Sequence, residues 1–141
     1  MARAIPIIRL YDTLIVSIQT ELSDTLVRAL KDDVSHEIRC DAVSALIIEV
    51  SGVDVFDSYI ARSIRDISQI AQLMGVSTVL AGLDAGMAVT LVEMGMSLGR
   101  VQTALNLEAA LSSVHRARTT HENQVPSFVT TPSSLSRGAQ P

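Results

Sequence analysis

The sequence predicts an α/β domain built on a mixed, mostly parallel sheet. Short aliphatic runs alternate along the chain with longer segments whose apolar residues recur every three or four positions. The resulting order, β-β-α-β-α-β-α-β-α, is that of a layered α/β unit with right-handed crossovers. The composition agrees: 48% of the 141 residues are hydrophobic, only 3% are aromatic and none is Trp, so the core must be Val, Ile, Leu, Ala and Met. This length suits one domain.

Each element has a local reason. Ile5 to Leu10 is a short apolar run with Pro6 near its start, which suits an edge strand. Tyr11-Asp12-Thr13 is a tight turn into a second strand, Leu14 to Ile18. Ser23 is an N-cap with Asp24 in the first turn, and Leu22, Leu26, Val27, Leu30, Val34 and Ile38 form one helix face ending near Cys40. The unbroken apolar run within Ser44 to Val50 suits a central strand buried on both faces. Ser51-Gly52 opens a turn. From Asp57 a second helix carries Ile60, Ile64, Ile67, Ile70 and Met74, and Gly75 stops it. Val76 to Ala81 is the next strand. Gly82-Leu83-Asp84 leads to a third helix with an expected core stripe of Ala85, Ala88, Val89 and Val92. Arg100 to Ala104 is a last edge strand, and Asn106 caps a fourth helix carrying Leu107, Ala110, Leu111 and Val114. Residues 1–117 form the expected domain, and 118–141, rich in Ser, Thr and Pro, a disordered tail.

Several function classes are disfavoured. The net charge is −4, with no basic cluster to suggest a nucleic-acid surface. One cysteine, Cys40, rules out an internal disulfide and a Cys-based zinc site. His36 and Cys40 share a helix face without a second ligand pair. Gly82, Gly86, Gly95 and Gly99 form no phosphate-cradling loop, and Met74, Met87, Met94 and Met96 read as core or interface. No metal or cofactor is expected. No secretory signal and no apolar run of about 18 residues is found, so the expected setting is the cytoplasm. A mean hydropathy of +0.34 with only 18% charged residues suggests that part of the aliphatic surface is covered by a partner.

The stretch with chemistry in it is Val50 to Ala61, where a buried strand hands over to a helix at Asp57-Ser58. The plainer reading is that one of these two residues is only a helix cap. A second is a hydroxyl displayed for modification, with Asp54 and Asp57 beside it and Arg62 and Arg65 one and two turns on. A third is a nucleophilic serine. No G-x-S-x-G elbow surrounds Ser58, and a base would have to come from His36, His115 or His121.

Five segments carry a resemblance: I-P-I-I-R-L-Y-D-T-L-I-V-S-I-Q at Ile5–Gln19, V-D-V-F-D-S-Y-I-A at Val53–Ala61, L-M-G-V at Leu73–Val76, V-L-A-G-L-D-A-G-M-A-V-T-L-V-E-M-G at Val79–Gly95 and T-A-L-N-L-E-A-A-L at Thr103–Leu111. In register, they resemble the STAS-domain antagonists of bacterial anti-sigma factors and switch kinases, above all the RsbS-type stressosome scaffolds. Many antagonists of this kind carry glycine in D-S-x-G. Here Ile60-Ala61 stands instead, as in the RsbS type.

The resemblance implies the STAS (SpoIIAA-like) fold, with helices packed mainly on one side of the sheet, and a non-enzymatic binding module. It implies phosphorylation of Ser58 by an RsbT-type serine kinase, which the unmodified protein sequesters, and resetting by a PP2C-type phosphatase. It also implies a large assembly shared with RsbR-type paralogues, feeding a stress response. Asp54, Asp57, Ser58, Tyr59, Arg62 and Arg65 are the expected partner-binding residues. A small serine hydrolase using Ser58 and a purely structural oligomer subunit are the alternatives.

Overall fold

The structure, a computed structural model, describes residues 5–95 and 101–123. Five strands form one sheet: β1 (Ile7–Leu10), β2 (Thr13–Ser17), β3 (Ala45–Glu49), β4 (Ser77–Ala81) and β5 (Gln102–Ala104). Four helices accompany them: α1 (Asp24–Cys40), α2 (Ser58–Leu73), α3 (Ala85–Glu93) and α4 (Leu107–Asn123). The strands lie side by side in chain order, β1-β2-β3-β4-β5. The β1–β2 hairpin is antiparallel and every other pairing is parallel. Parallel neighbours need a crossover, and α1, α2 and α3 supply the three.

Alternation along the strands divides the core between two faces. Leu14, Val16, Leu46, Ile48 and Leu80 point to one face, where they meet Leu30 and Val34 of α1, Ile60, Ile64 and Ile67 of α2, and Met87 of α3. Ile15, Ile47, Val79 and Ala81 point to the other, where Ala110, Leu107, Leu111 and Val114 of α4 cover them. Three helices therefore share one side and the fourth holds the opposite side. The unbroken A-L-I-I of β3 is buried on both faces because each is covered.

Two expectations need correction. The stripe Ala85, Ala88, Val89 and Val92 is not the core face of α3: Met87 and Leu91 are buried, while Val89 and Val92 are 54% and 79% exposed. Nearly every α3 position is apolar, so spacing alone could not choose among faces. The fourth helix also continues past residue 117 to Asn123, and Arg118 on its extra turns pairs with Asp12 of the β1–β2 turn at 3.0 Å. Those turns are polar but contain neither Pro nor Gly, so nothing local stops the helix. The expected tail beyond 123, the side chain of His121, and Met96, Gly99 and Arg100 lie outside the described residues.

Two glycines occupy positions that other residues could not. Gly75 ends α2 with φ of 82°, in the left-handed region expected of a helix stop. Gly82, with φ of 84°, lies where a Cβ would come within 2.9 Å of Ser51 Cβ. The end of β4 thus passes tightly under the turn that leads to α2.

Candidate functional site

That turn, residues 50–57, is pinned from below. Val53 is buried and Phe56 packs partly into the core, which leaves Asp54, Val55, Asp57 and Ser58 outside. Half-buried Glu49, at the end of β3, braces its start. Glu49 accepts hydrogen bonds from the Ser51 N–H at 2.8 Å, from the Ser51 hydroxyl, and from the Ser17 hydroxyl at 3.1 Å. The sequence does not single out this brace; its one signal is a lone glutamate ending an aliphatic strand.

Asp57 is the cap of α2. Its Oδ1 accepts from the Ile60 N–H at 2.9 Å, while its backbone stays extended. Ser58 is consequently the first helical residue, and its exposed hydroxyl takes no part in the capping. The sequence leaves open which of the two is the cap, and the geometry separates them.

The hydroxyl's neighbour is Arg62, one turn on. Arg62 Nε donates to the Ser58 carbonyl at 3.2 Å, and Arg62 Nη2 lies 3.4 Å from Ser58 Oγ. Arg65 is turned away: it pairs with Asp66 at 3.6 Å, and Lys31 of α1 pairs with the same carboxylate at 3.4 Å. Tyr59 reaches across to α1 and donates its hydroxyl to Asp24. That hydrogen bond, followed by desolvation and the charge of Asp24, raises the Tyr59 pKa above 10.0. Asp54 is exposed on the turn.

The start of α2 thus opens beside a cleft of about 500 Å³ between α1 and α2, bordered by Asp24, Arg28, Lys31, Tyr59, Arg62 and Asp66. Arg28 is not marked out by the sequence, because its neighbourhood depends on α1 and α2 lying side by side. The parallel β2–β3–β4 order implies that arrangement only once it is known. The other sizeable cleft, about 550 Å³ at the far end of α2, is bordered by Gln69, Gln72 and Gln102 and by no titratable side chain.

The arrangement does not favour serine hydrolysis. A guanidinium stays protonated and cannot take the Ser58 proton. Among the described residues no histidine is hydrogen-bonded to Ser58; His36 instead contacts Cys40, with Nε2 at 3.4 Å from Sγ. Among the described residues no group of three or more His, Cys, Asp or Glu is placed to hold a metal ion, and no helix is long and apolar enough to cross a membrane.

The STAS domain family matches residues 4–110. RsbS S58E of Moorella thermoacetica shares 33% identity and a TM-score of 0.73, over 82% of this chain and 98% of that one. A chain from the molecular architecture of the stressosome, a signal integration and transduction hub, shares 35% identity and a TM-score of 0.73, over 80% and 98% of the two chains. The RsbT co-antagonist protein RsbRD of Bacillus subtilis is 26% identical over 93 residues, 66% of this chain but only 34% of its own length. This chain thus corresponds to about a third of that longer relative. With the family match running from the first strand into the fourth helix, and the strand order observed, the chain belongs to the STAS domain family.

Proposed function

We propose that this chain is a non-enzymatic, cytoplasmic scaffold of the stressosome type. While Ser58 is unmodified the chain sequesters an RsbT-type serine kinase, and phosphorylation of Ser58 helps release it. One observation carries the reading: the Ser58 hydroxyl is exposed at the first position of α2 and is left unused by the cap beside it. Two comparisons support it. The Moorella relative is an RsbS solved as a serine-to-glutamate variant, and the Bacillus relative is named as an RsbT co-antagonist.

The kinase would transfer the γ-phosphoryl group of ATP to Ser58 Oγ as the hydroxyl proton leaves. This adds about −1.5 to −2 charges to a turn that already holds Asp54 and Asp57. Desolvating that charge in a complex opposes binding. A penalty of about 2.8 kcal/mol weakens association roughly a hundredfold, so no refolding is needed. Exposed Asp54 and Asp57, Tyr59 and the Arg62 and Arg65 face would meet the kinase. RsbR-type paralogues would share the assembly, where exposed Ile8, Val89 and Val92 could be covered. A PP2C-type phosphatase would restore the hydroxyl.

The test is a pull-down of an RsbT-type kinase on the immobilised protein. Ser58→Ala is expected to retain the kinase and Ser58→Asp to lose most of it. Equal retention by both variants would count against the switch.

A further inference from the structure

The cations near Ser58 are not equivalent. Lys31 and Arg65 share the carboxylate of Asp66, and Asp24 is engaged by Tyr59. Arg62 has no carboxylate partner among the described residues; its guanidinium is folded back on Ser58 instead, touching both the carbonyl and the hydroxyl. Arg28, on the α1 side of the same cleft, also has no ion-pair partner among the described residues.

We infer that Arg62 is a phosphate latch: once Ser58 is phosphorylated, the guanidinium of Arg62 closes on the phosphate within the same chain. The inference rests on the reading of Ser58 as the phosphorylated residue. Arg62 Nη2 already sits 3.4 Å from the oxygen that would carry the phosphate, so closure needs a side-chain adjustment and no backbone movement. An anion placed four residues before a cation on a helix is in the favourable orientation. Guanidinium and phosphate pair through two parallel hydrogen bonds, which makes the contact stronger than an exposed carboxylate pair. Arg28 flanks the latch from α1, while Asp54 and Asp57 oppose it from the turn.

The switch then has two parts. Phosphorylation adds an anion at the start of α2 and withdraws a cation that the unmodified protein offers to a partner. A phosphatase must open the latch before it can reach the phosphorus. Arg62 is a positioning residue in this scheme.

The test installs phosphoserine at position 58 of the full chain by genetic encoding, so that no kinase is required, and tracks the phosphate by ³¹P NMR against pH. The second phosphate pKa is about 6 when unperturbed. A close guanidinium favours the dianion and lowers the midpoint, here by about half to one pH unit relative to Arg62→Ala. Arg62→Lys is expected to fall between the two. Circular dichroism of the unmodified variants checks that each is folded, and a broad-specificity phosphatase is expected to act several-fold faster on Arg62→Ala. Coincident midpoints for the parent and Arg62→Ala would overturn the latch. A shift seen only with Arg28→Ala would overturn it too, by assigning the phosphate to α1. If a kinase leaves Ser58 untouched, the reading of Ser58 falls, whereas the titration reports on the latch alone.

Discussion

Helices α2 and α3 begin alike and end differently. Each succeeds a parallel strand, and each is capped by an aspartate whose Oδ1 accepts the N–H three residues on, at 2.9 Å for Asp57 and 2.8 Å for Asp84. After the cap they diverge. The first helical residue of α2 is Ser58 with Arg62 a turn later, whereas α3 opens with Ala85 and then Val89 a turn later. α2 buries seven residues, among them Ile60, Ile64 and Ile67, and α3 buries only Met87 and Leu91. The same cap serves a rigid platform bearing a hydroxyl in one place and a shallow apolar element in the other. A cap alone therefore does not make a site; the residues of the first helical turn decide it.

The largest effect that would break this contrast lies in the core. Ile64 is 1% exposed and Leu91 is 6% exposed. Ile64→Ala is expected to lower unfolding free energy by about 2–5 kcal/mol in urea titrations. Leu91→Ala should fall at the low end of that range, because the shallower seat of α3 can relax around the loss. Equal costs would mean that α2 is no firmer a platform than its neighbour.

Next comes the charge at the first helical position. Ser58→Asp is expected to weaken kinase binding about a hundredfold, or about 2.8 kcal/mol, in titration calorimetry. Ala85→Asp, at the equivalent point of α3, should leave binding unchanged. A similar loss from both would point to overall charge rather than to a docked surface.

The caps themselves sharpen the comparison from the other side. Asp57→Ala and Asp84→Ala should each cost about 0.5–2 kcal/mol of stability, and by similar amounts. The smallest effect concerns Tyr59, for which α3 has no counterpart in its sequence. The hydrogen bond to Asp24 raises the Tyr59 pKa, so the folded protein holds that proton more tightly than the unfolded chain. Its contribution is fully present below the unfolded pKa near 10 and is lost as pH rises through the higher folded value. Tyr59→Phe should flatten the alkaline side of a stability–pH curve relative to the parent, with little change at neutral pH.

Much of the fold is legible in the sequence because it is local. Period-two and period-four patterns place every element, and three Asp or Ser caps, at Ser23, Asp57 and Asp84, fix helix starts. The i, i+4 spacing brings Arg62 to Ser58. Spacing cannot tell that Arg65 is drawn to Asp66, nor that Arg28 faces α2 across a cleft, since both depend on packing between helices. The α3 face is illegible for a different reason: when almost all positions are apolar, periodicity has no contrast. The end of α4 is misplaced by composition because polar residues that suit a tail also extend an exposed helix readily.

The most direct measurement is phosphosite mapping. The full chain is incubated with an RsbT-type kinase and ATP, digested and sequenced by mass spectrometry, alongside Ser58→Ala. The account predicts a single phosphate on the peptide that contains Ser58, absent from the variant. A phosphate that survives in Ser58→Ala, or none on the parent under conditions where the kinase modifies another STAS-domain substrate, would contradict it.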